Sequence, residues 1–292
     1  MGIPRRTLRE LAAIHRREPA CRDVIVEGPS DQSLIDWFFA ENNLAGVVVY
    51  EVGSFEIEKD RLLARGLEDN NRGRVVTLAY ELEAEIAADA SLTCVADSDF
   101  DIILKKSETC SLLLLTDYSC TEMYAFNART IGKYLRLNLR HFPKDAAKVI
   151  TEITSALEQL FLVRLVNFVL ALKLEAVNWE SSLRMRSGPI ELDLDDYLTR
   201  YLNKNRRARD KERFLAEYSS RRKQLLPEPR NQINGHDFLE LLSWYIHKHR
   251  GFPKKIDSGT LGREIFACLE VQHLAKELLC QRLLNRLGAR PR

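Results

Sequence analysis

Residues 21–39 read CRDVIVEGPSDQSLIDWFF, and this stretch sets the fold class. The apolar run Val24-Ile25-Val26 predicts a strand that closes at Glu27-Gly28, and Ser30 is placed to cap a helix carrying Leu34, Ile35, Trp37, Phe38 and Phe39. Working outward, Gly46 to Val52 (GVVVYEV) predicts a second, β-branched strand. After the polar Asp69 to Gly73 stretch, residues 74–89 predict a helix with Val75, Val76, Leu78, Ala79, Leu82 and Ile86 on one face. Leu92 to Ala96 is a third strand ending at Asp97, and Leu112 to Leu115 a fourth ending at Thr116-Asp117. Strands alternating with helices imply an α/β fold with a mostly parallel sheet flanked by helices.

Beyond residue 127 the pattern turns helical, with predicted helices at 145–177, 194–202, 206–225, 236–249 and 260–287. Pro143, the Ser187-Gly188-Pro189 turn, Pro227 with Pro229, and Gly251-Phe252-Pro253 punctuate them. The expectation is two domains, 1–127 and a mainly α-helical 128–292. With 45% hydrophobic and 29% charged residues among 292, whole-chain disorder, collagen and coiled-coil arrays are excluded. The longest apolar stretch, Phe161 to Leu174, is interrupted by Arg164, Asn167 and Lys173, so no membrane span is expected. The N-terminal residues lack the apolar core of a secretory signal, which leads to an expectation of cytoplasmic residence. Six cysteines without a CxxC pair read as thiols rather than a zinc site, and His247 and His249 fall on different helix faces.

The net charge of +2 conceals an asymmetry. Residues 1–125 carry 13 Lys and Arg against 23 Asp and Glu, whereas residues 126–292 carry 31 against 19. An acidic half suits cations and a basic half an anionic partner, although mutual attraction of the halves would produce the same pattern.

Acidic clusters occur at predicted strand ends, where parallel sheets place ligands. Glu27 stands at the first, with Asp31 in the following helical turn. Asp97, Asp99 and Asp101 follow the third strand with a period of two, a hard-oxygen set suited to Mg²⁺ or Mn²⁺. A calcium loop is set aside, because its sixth position would be Ile102 where glycine is required. Asp117 and Glu122 flank the polar segment after the fourth strand, where helix capping by Ser119 or Thr121 weighs equally with a catalytic role.

Together the Glu27-Gly28 strand end and the downstream Asp97-x-Asp99 resemble a TOPRIM domain, the metal-binding fold of topoisomerases, primases and OLD-type nucleases. VEGPSDQSLIDWFF, VADSDFD, TDYSCTEMY and the distant Asn234-Gly235-His236-Asp237-Phe238 resemble more narrowly the OLD-like TOPRIM effectors of PARIS-type anti-phage loci. Met123 departs from the asparagine that often follows the glutamate in that family. The resemblance implies a Mg²⁺- or Mn²⁺-dependent nuclease acting on RNA, with tRNA favoured, held by a partner ABC-type ATPase and released as a homodimer. Asp97 and Asp99 would be metal ligands, Glu27 a ligand or general acid/base, and Asp31 and Asp101 further ligands. An OLD-type DNA nuclease and a non-enzymatic metal-holding module are the alternatives. No GxxxxGK[ST] motif occurs in the chain, so nucleotide hydrolysis would belong to the partner.

For nucleic acid, the sequence points to residues 204–223, KNRRARDKERFLAEYSSRRK, with Arg206, Arg207, Arg209, Arg213, Arg221 and Arg222 as phosphate contacts. Tyr201 and Tyr218 are candidates for base stacking, while Phe214 reads as core. Lys173, near the end of the long predicted helix, could reach a transition-state phosphate.

Overall fold

Four short strands form the sheet that the apolar runs predict: β1 (Arg22–Val26), β2 (Val47–Glu51), β3 (Leu92–Ala96) and β4 (Leu113–Leu115). The computed structural model describes residues 5–86, 91–185, 188–250 and 255–288; residues 87–89 of the predicted helix, Ser187 and the Gly251-Phe252-Pro253 turn lie outside them. The strand order is β2-β1-β3-β4, every pair parallel. Every residue of β3 is buried, as expected for a parallel strand covered on both faces.

Packing divides the chain into two units, each treated by itself. The first comprises the described residues of 1–98, 107–117 and 270–292, and the second those of 99–106 and 118–269. The compositional change at residue 127/128 and the packed units therefore follow different lines, because the chain leaves the first unit and returns to it.

In the first unit, helix α1 (Leu8–Arg17) opens with a Thr7/Glu10 capping box that the sequence reading passed over. Helix α2 (Pro29–Glu41) starts two residues earlier than expected. Gly28 is its N-cap, Pro29 takes the first helical position, and Ser30 lies inside the first turn. Helix α3 (Asn71–Glu83) is capped by the Asn70 side chain on the Gly73 amide at 2.8 Å. A core of Leu11, Ile25, Val52, Phe55, Val75, Leu78, Leu82, Leu92 and Cys94 joins α1 and α3 to the sheet.

The described residues of the second unit are mainly helical: α4 (Ala128–Leu137), α5 (Ala146–Val169), α6 (Leu194–Lys204), α7 (Lys211–Arg222), α8 (Gly235–Arg250) and α9 (Ser258–Phe266). Helix α5 buries residues on all sides, including Val149, Ile153, Leu157, Phe161 and Val166, which marks it as a core helix. It packs against α4, α7 and α8. It also ends earlier than the predicted 177, because Ala171 adopts a left-handed φ of 49° after the last turn. Alanine at that position carries no local stop signal.

Two further helix expectations are corrected. The 206–225 helix begins as a 3₁₀ turn, Ala208–Asp210, after Arg206 at φ 55° breaks the helical path. The predicted 260–287 helix is three pieces: α9, the single turn Val271–Leu274, and α10 (Leu278–Leu287) in the first unit. The Asp117 carboxylate accepts the Leu279 amide at 3.0 Å and so caps α10. That partner is 162 residues away, which explains why no local pattern announces the break.

Candidate active site at the strand ends

Register brings Glu27 and Asp97 to the same rim. In β1 and β3, Ile25 pairs with Cys94, so both parallel strands run out at one carboxyl edge. Glu27 follows β1 directly and Asp97 follows β3 directly. Glu27 Oε1 accepts the Asp97 backbone amide at 2.7 Å. A charge-assisted bond of this length fixes the glutamate against the neighbouring strand end. At the next peptide group, Arg72 Nε donates to the Asp97 carbonyl at 2.8 Å. Both side chains are half-buried, so the rim remains open to solvent on part of its surface.

Arg72 is the residue the sequence reading missed. It sits in the first turn of α3 with Arg74, and that turn contains no acid. Two cations at a helix N-terminus oppose the helix dipole, which was the available signal of a role beyond the helix. Arg74 pairs with Asp69 at 2.8 Å, and Arg72 reaches the Asp97 carbonyl.

The other acids of the predicted set, Asp31, Asp99 and Asp101, each take a defined local position. Asp31 Oδ2 accepts the Gly28 amide at 3.0 Å and so braces the start of α2. Asp99 belongs to the second unit, where its amide donates to the Ser119 carbonyl at 2.8 Å and its φ is 44°. Aspartate tolerates this left-handed backbone better than most residues, which permits the sharp turn after β3. Asp101, also in the second unit, is buried and starts a one-turn helix, Asp101–Leu104.

Among the described residues, no group of three or more Asp, Glu, His or Cys is gathered to hold a metal ion. The donor chemistry of Glu27 and Asp97 nevertheless suits a hard cation, since both are carboxylates. Mg²⁺ is commonly bound by one or two carboxylates with waters and substrate phosphates rather than by a protein cage. The pair fits that mode of binding.

Residues of the third acidic cluster make contacts with partners distant in sequence. Asp117 caps α10, as described above. In the second unit, Ser119 donates its hydroxyl to the Ile233 carbonyl at 2.5 Å, and its amide bonds the Arg230 carbonyl at 3.1 Å. The Arg230 guanidinium lies 3.8 Å from the Tyr118 ring centroid. Glu122 packs on Gly235 so closely that a Cβ there would stand 2.2 Å from Glu122 Oε2. Asn234 accepts the Asp237 amide at 3.2 Å at the start of α8, and Asp237 grips Arg164 through bonds of 2.6 and 2.7 Å. TDYSCTEMY and NGHDF are thus two sides of one contact.

In the predicted nucleic-acid segment, Tyr201, Phe214 and Tyr218 are all buried. Stacking of bases on Tyr201 and Tyr218 is therefore excluded, while the core reading of Phe214 holds. Arg207 pairs with Asp210 at 3.6 Å and Arg221 with Glu217 at 2.7 Å. Lys204 and Lys211 pair with Glu175 and Asp195. Arg206 and Arg209 line an open cavity of about 570 Å³ with Asp210, and Arg213 and Arg222 are on α7. Lys173 is exposed, and it lies beyond the end of α5 at φ 52° rather than on the helix.

Comparison with known proteins adds no assignment: no protein-family model matches the chain, and no curated protein matches it.

Proposed function

We propose that the chain is a metal-dependent nuclease whose rim carboxylates Glu27 and Asp97 serve hydrolysis of phosphodiesters, RNA and in particular tRNA being the favoured substrate. The observation that carries this reading is the Glu27 to Asp97 bond of 2.7 Å at the shared carboxyl edge of two parallel strands. Support also comes from the resemblance of Glu27-Gly28 and Asp97-x-Asp99 to a TOPRIM domain, and of the longer motifs to AriB, the effector of the PARIS defence system. By that resemblance the chain is released from an ABC-type ATPase when a phage protein is sensed, and acts as a homodimer in the cytoplasm.

Glu27 and Asp97 would hold Mg²⁺ or Mn²⁺, with Asp99 following two residues on in the sequence. The bound ion supplies charge neutralisation at the scissile phosphate and an acidified water. Glu27 is positioned by the Asp97 amide to act as ligand or general base, and the Arg72 guanidinium offers a planar donor fork for phosphate oxygens.

A second reading has its own observation. Asp31 and Asp117 each accept a backbone amide at a helix start, which suits a non-enzymatic module whose rim acids are structural as well. Expression of the parent and Glu27→Ala in bacteria with the sensing trigger separates the two. The nuclease reading expects toxicity and new RNA ends from the parent alone; fragmentation of the chromosome with intact RNA would favour the OLD-type DNA nuclease. Equal toxicity of both versions would favour the module.

A further inference from the structure

A second basic stretch of the second unit lies outside residues 204–223. Residues 128–148 contain Arg129, Lys133, Arg136, Arg140, Lys144 and Lys148 against a single acid, Asp145. That acid is committed to the backbone, accepting the Lys148 amide at 2.8 Å as the N-cap of α5.

Between the end of α4 and the start of α5 lies an open cavity of about 730 Å³. Arg136, Arg140, His141 and Lys144 line it, and among the described lining residues Asp145 is the only acid. Gly132 and Ala146 keep part of its wall shallow, since a Cβ on Gly132 would meet Ala146 Cβ at 3.5 Å. Phe142 supplies an aromatic face and is itself packed on Tyr245 and His249 at centroid distances of 6.3 and 6.2 Å.

Lys144 is held in place from behind. Its Nζ donates to the buried Glu152 at 2.5 Å, and Glu152 also accepts the Tyr245 hydroxyl at 2.5 Å. The ammonium lies 5.4 Å from the Tyr245 ring centroid. A cation whose position is fixed before binding loses less rotamer freedom when a ligand arrives.

We propose that this cavity is a docking surface for a single-stranded nucleic-acid segment, with phosphates on Arg136, Arg140 and Lys144 and an unpaired base on Phe142. The cationic rim supplies the backbone contacts, and the aromatic face supplies sequence-tolerant stacking. Residues 204–223 are a weaker candidate, because their two aromatic residues, Phe214 and Tyr218, are buried and offer no ring for stacking. The inference shares only its ligand class with the proposed nuclease, and it is scored by binding rather than by cleavage.

The test uses the full chain carrying Glu27→Gln in EDTA, with fluorescence anisotropy of a short labelled single-stranded RNA and its DNA counterpart across a salt series. Arg136→Gln/Arg140→Gln is compared with Arg206→Gln/Arg209→Gln, and a thermal melt checks that each folds. The expected result is about tenfold or greater weakening for the first pair, with the slope of log affinity against log salt reduced by about 2. The second pair should change affinity less than about threefold, below half the energy of one good phosphate contact. Phe142→Leu should weaken binding without altering the salt slope. Unchanged binding in the folded first pair, or a larger loss in the second, overturns the proposal. So does displacement of the oligonucleotide by inorganic phosphate or a mononucleotide at equal phosphate concentration, which would make the cavity a small-ligand site. Loss of RNA cleavage with binding intact would leave the docking surface standing whatever happens to the nuclease reading.

Discussion

Glu27 and Gly235 show how differently two equally prominent motif residues can act. Glu27 bonds the Asp97 amide at a strand edge, and Glu27→Gln keeps a similar shape while removing the charge. The account expects cleavage to fall at least about 100-fold, the scale of a lost general base, with little change in melting temperature. Arg72→Ala should lower cleavage by about tenfold or more, as loss of one charge-assisted phosphate bond would, and Arg72→Lys should restore it only partly because the fork is lost. Kinetics on a defined labelled RNA check both. At Gly235 the expected effect is on stability. A Cβ would overlap Glu122 Oε2, so Gly235→Ala should destabilise by about 1–3 kcal/mol, and adding Glu122→Ala should recover part of that loss in denaturant melts. At this scale the sequence made Glu27 and Asp97 legible, because each follows an apolar run directly. It did not show the contacts of Asp117 and Glu122, since Leu279 and Gly235 are more than a hundred residues away.

Elements were most legible where the hydrophobic period is uninterrupted. β3 appears at its predicted limits, and the core of α3 carries Val75, Val76, Leu78, Ala79 and Leu82 as expected. Element ends were less legible when tertiary bonds decided them, as at α10, or when a left-handed residue other than glycine did, as at Ala171 after α5. Removing the long-range cap with Asp117→Ala should cost about 1 kcal/mol, read as a lower denaturation midpoint at unchanged slope. Helix α5 also carries a titration. Burial alone would raise the Glu152 carboxyl, but bonds from Lys144 and Tyr245 and the nearby Lys charges hold it below its ordinary value of 4.5. A carboxyl lowered in the folded state contributes stability that is present above its unfolded value and lost as pH falls through the folded one. Glu152→Gln should therefore be destabilised by about 1–3 kcal/mol at neutral pH and converge with the parent in acid. Parallel melts at the two pH values test this.

For the molecule as a whole, the alternation of strand and helix patterns anticipated the parallel α/β sheet, and among the described residues no helix is long and apolar enough to cross a membrane. All six cysteines are free thiols, and only Cys21 is not buried. Burial pushes the Cys110 thiol up to about 11 and Cys280 up to about 12, which makes both poor nucleophiles at neutral pH. The charge asymmetry located a basic half, but it could not show which cations pair with acids; Lys204, Arg207, Lys211, Arg221 and Lys144 do so. The most direct test of the central claim is cleavage of end-labelled tRNA by the purified chain, with Mg²⁺ or with EDTA, beside Glu27→Gln and Asp97→Asn. The account predicts discrete cleavage that requires both the ion and the two carboxylates. Equal cleavage by folded Glu27→Gln, or intact RNA and DNA under every condition with the parent, would contradict it.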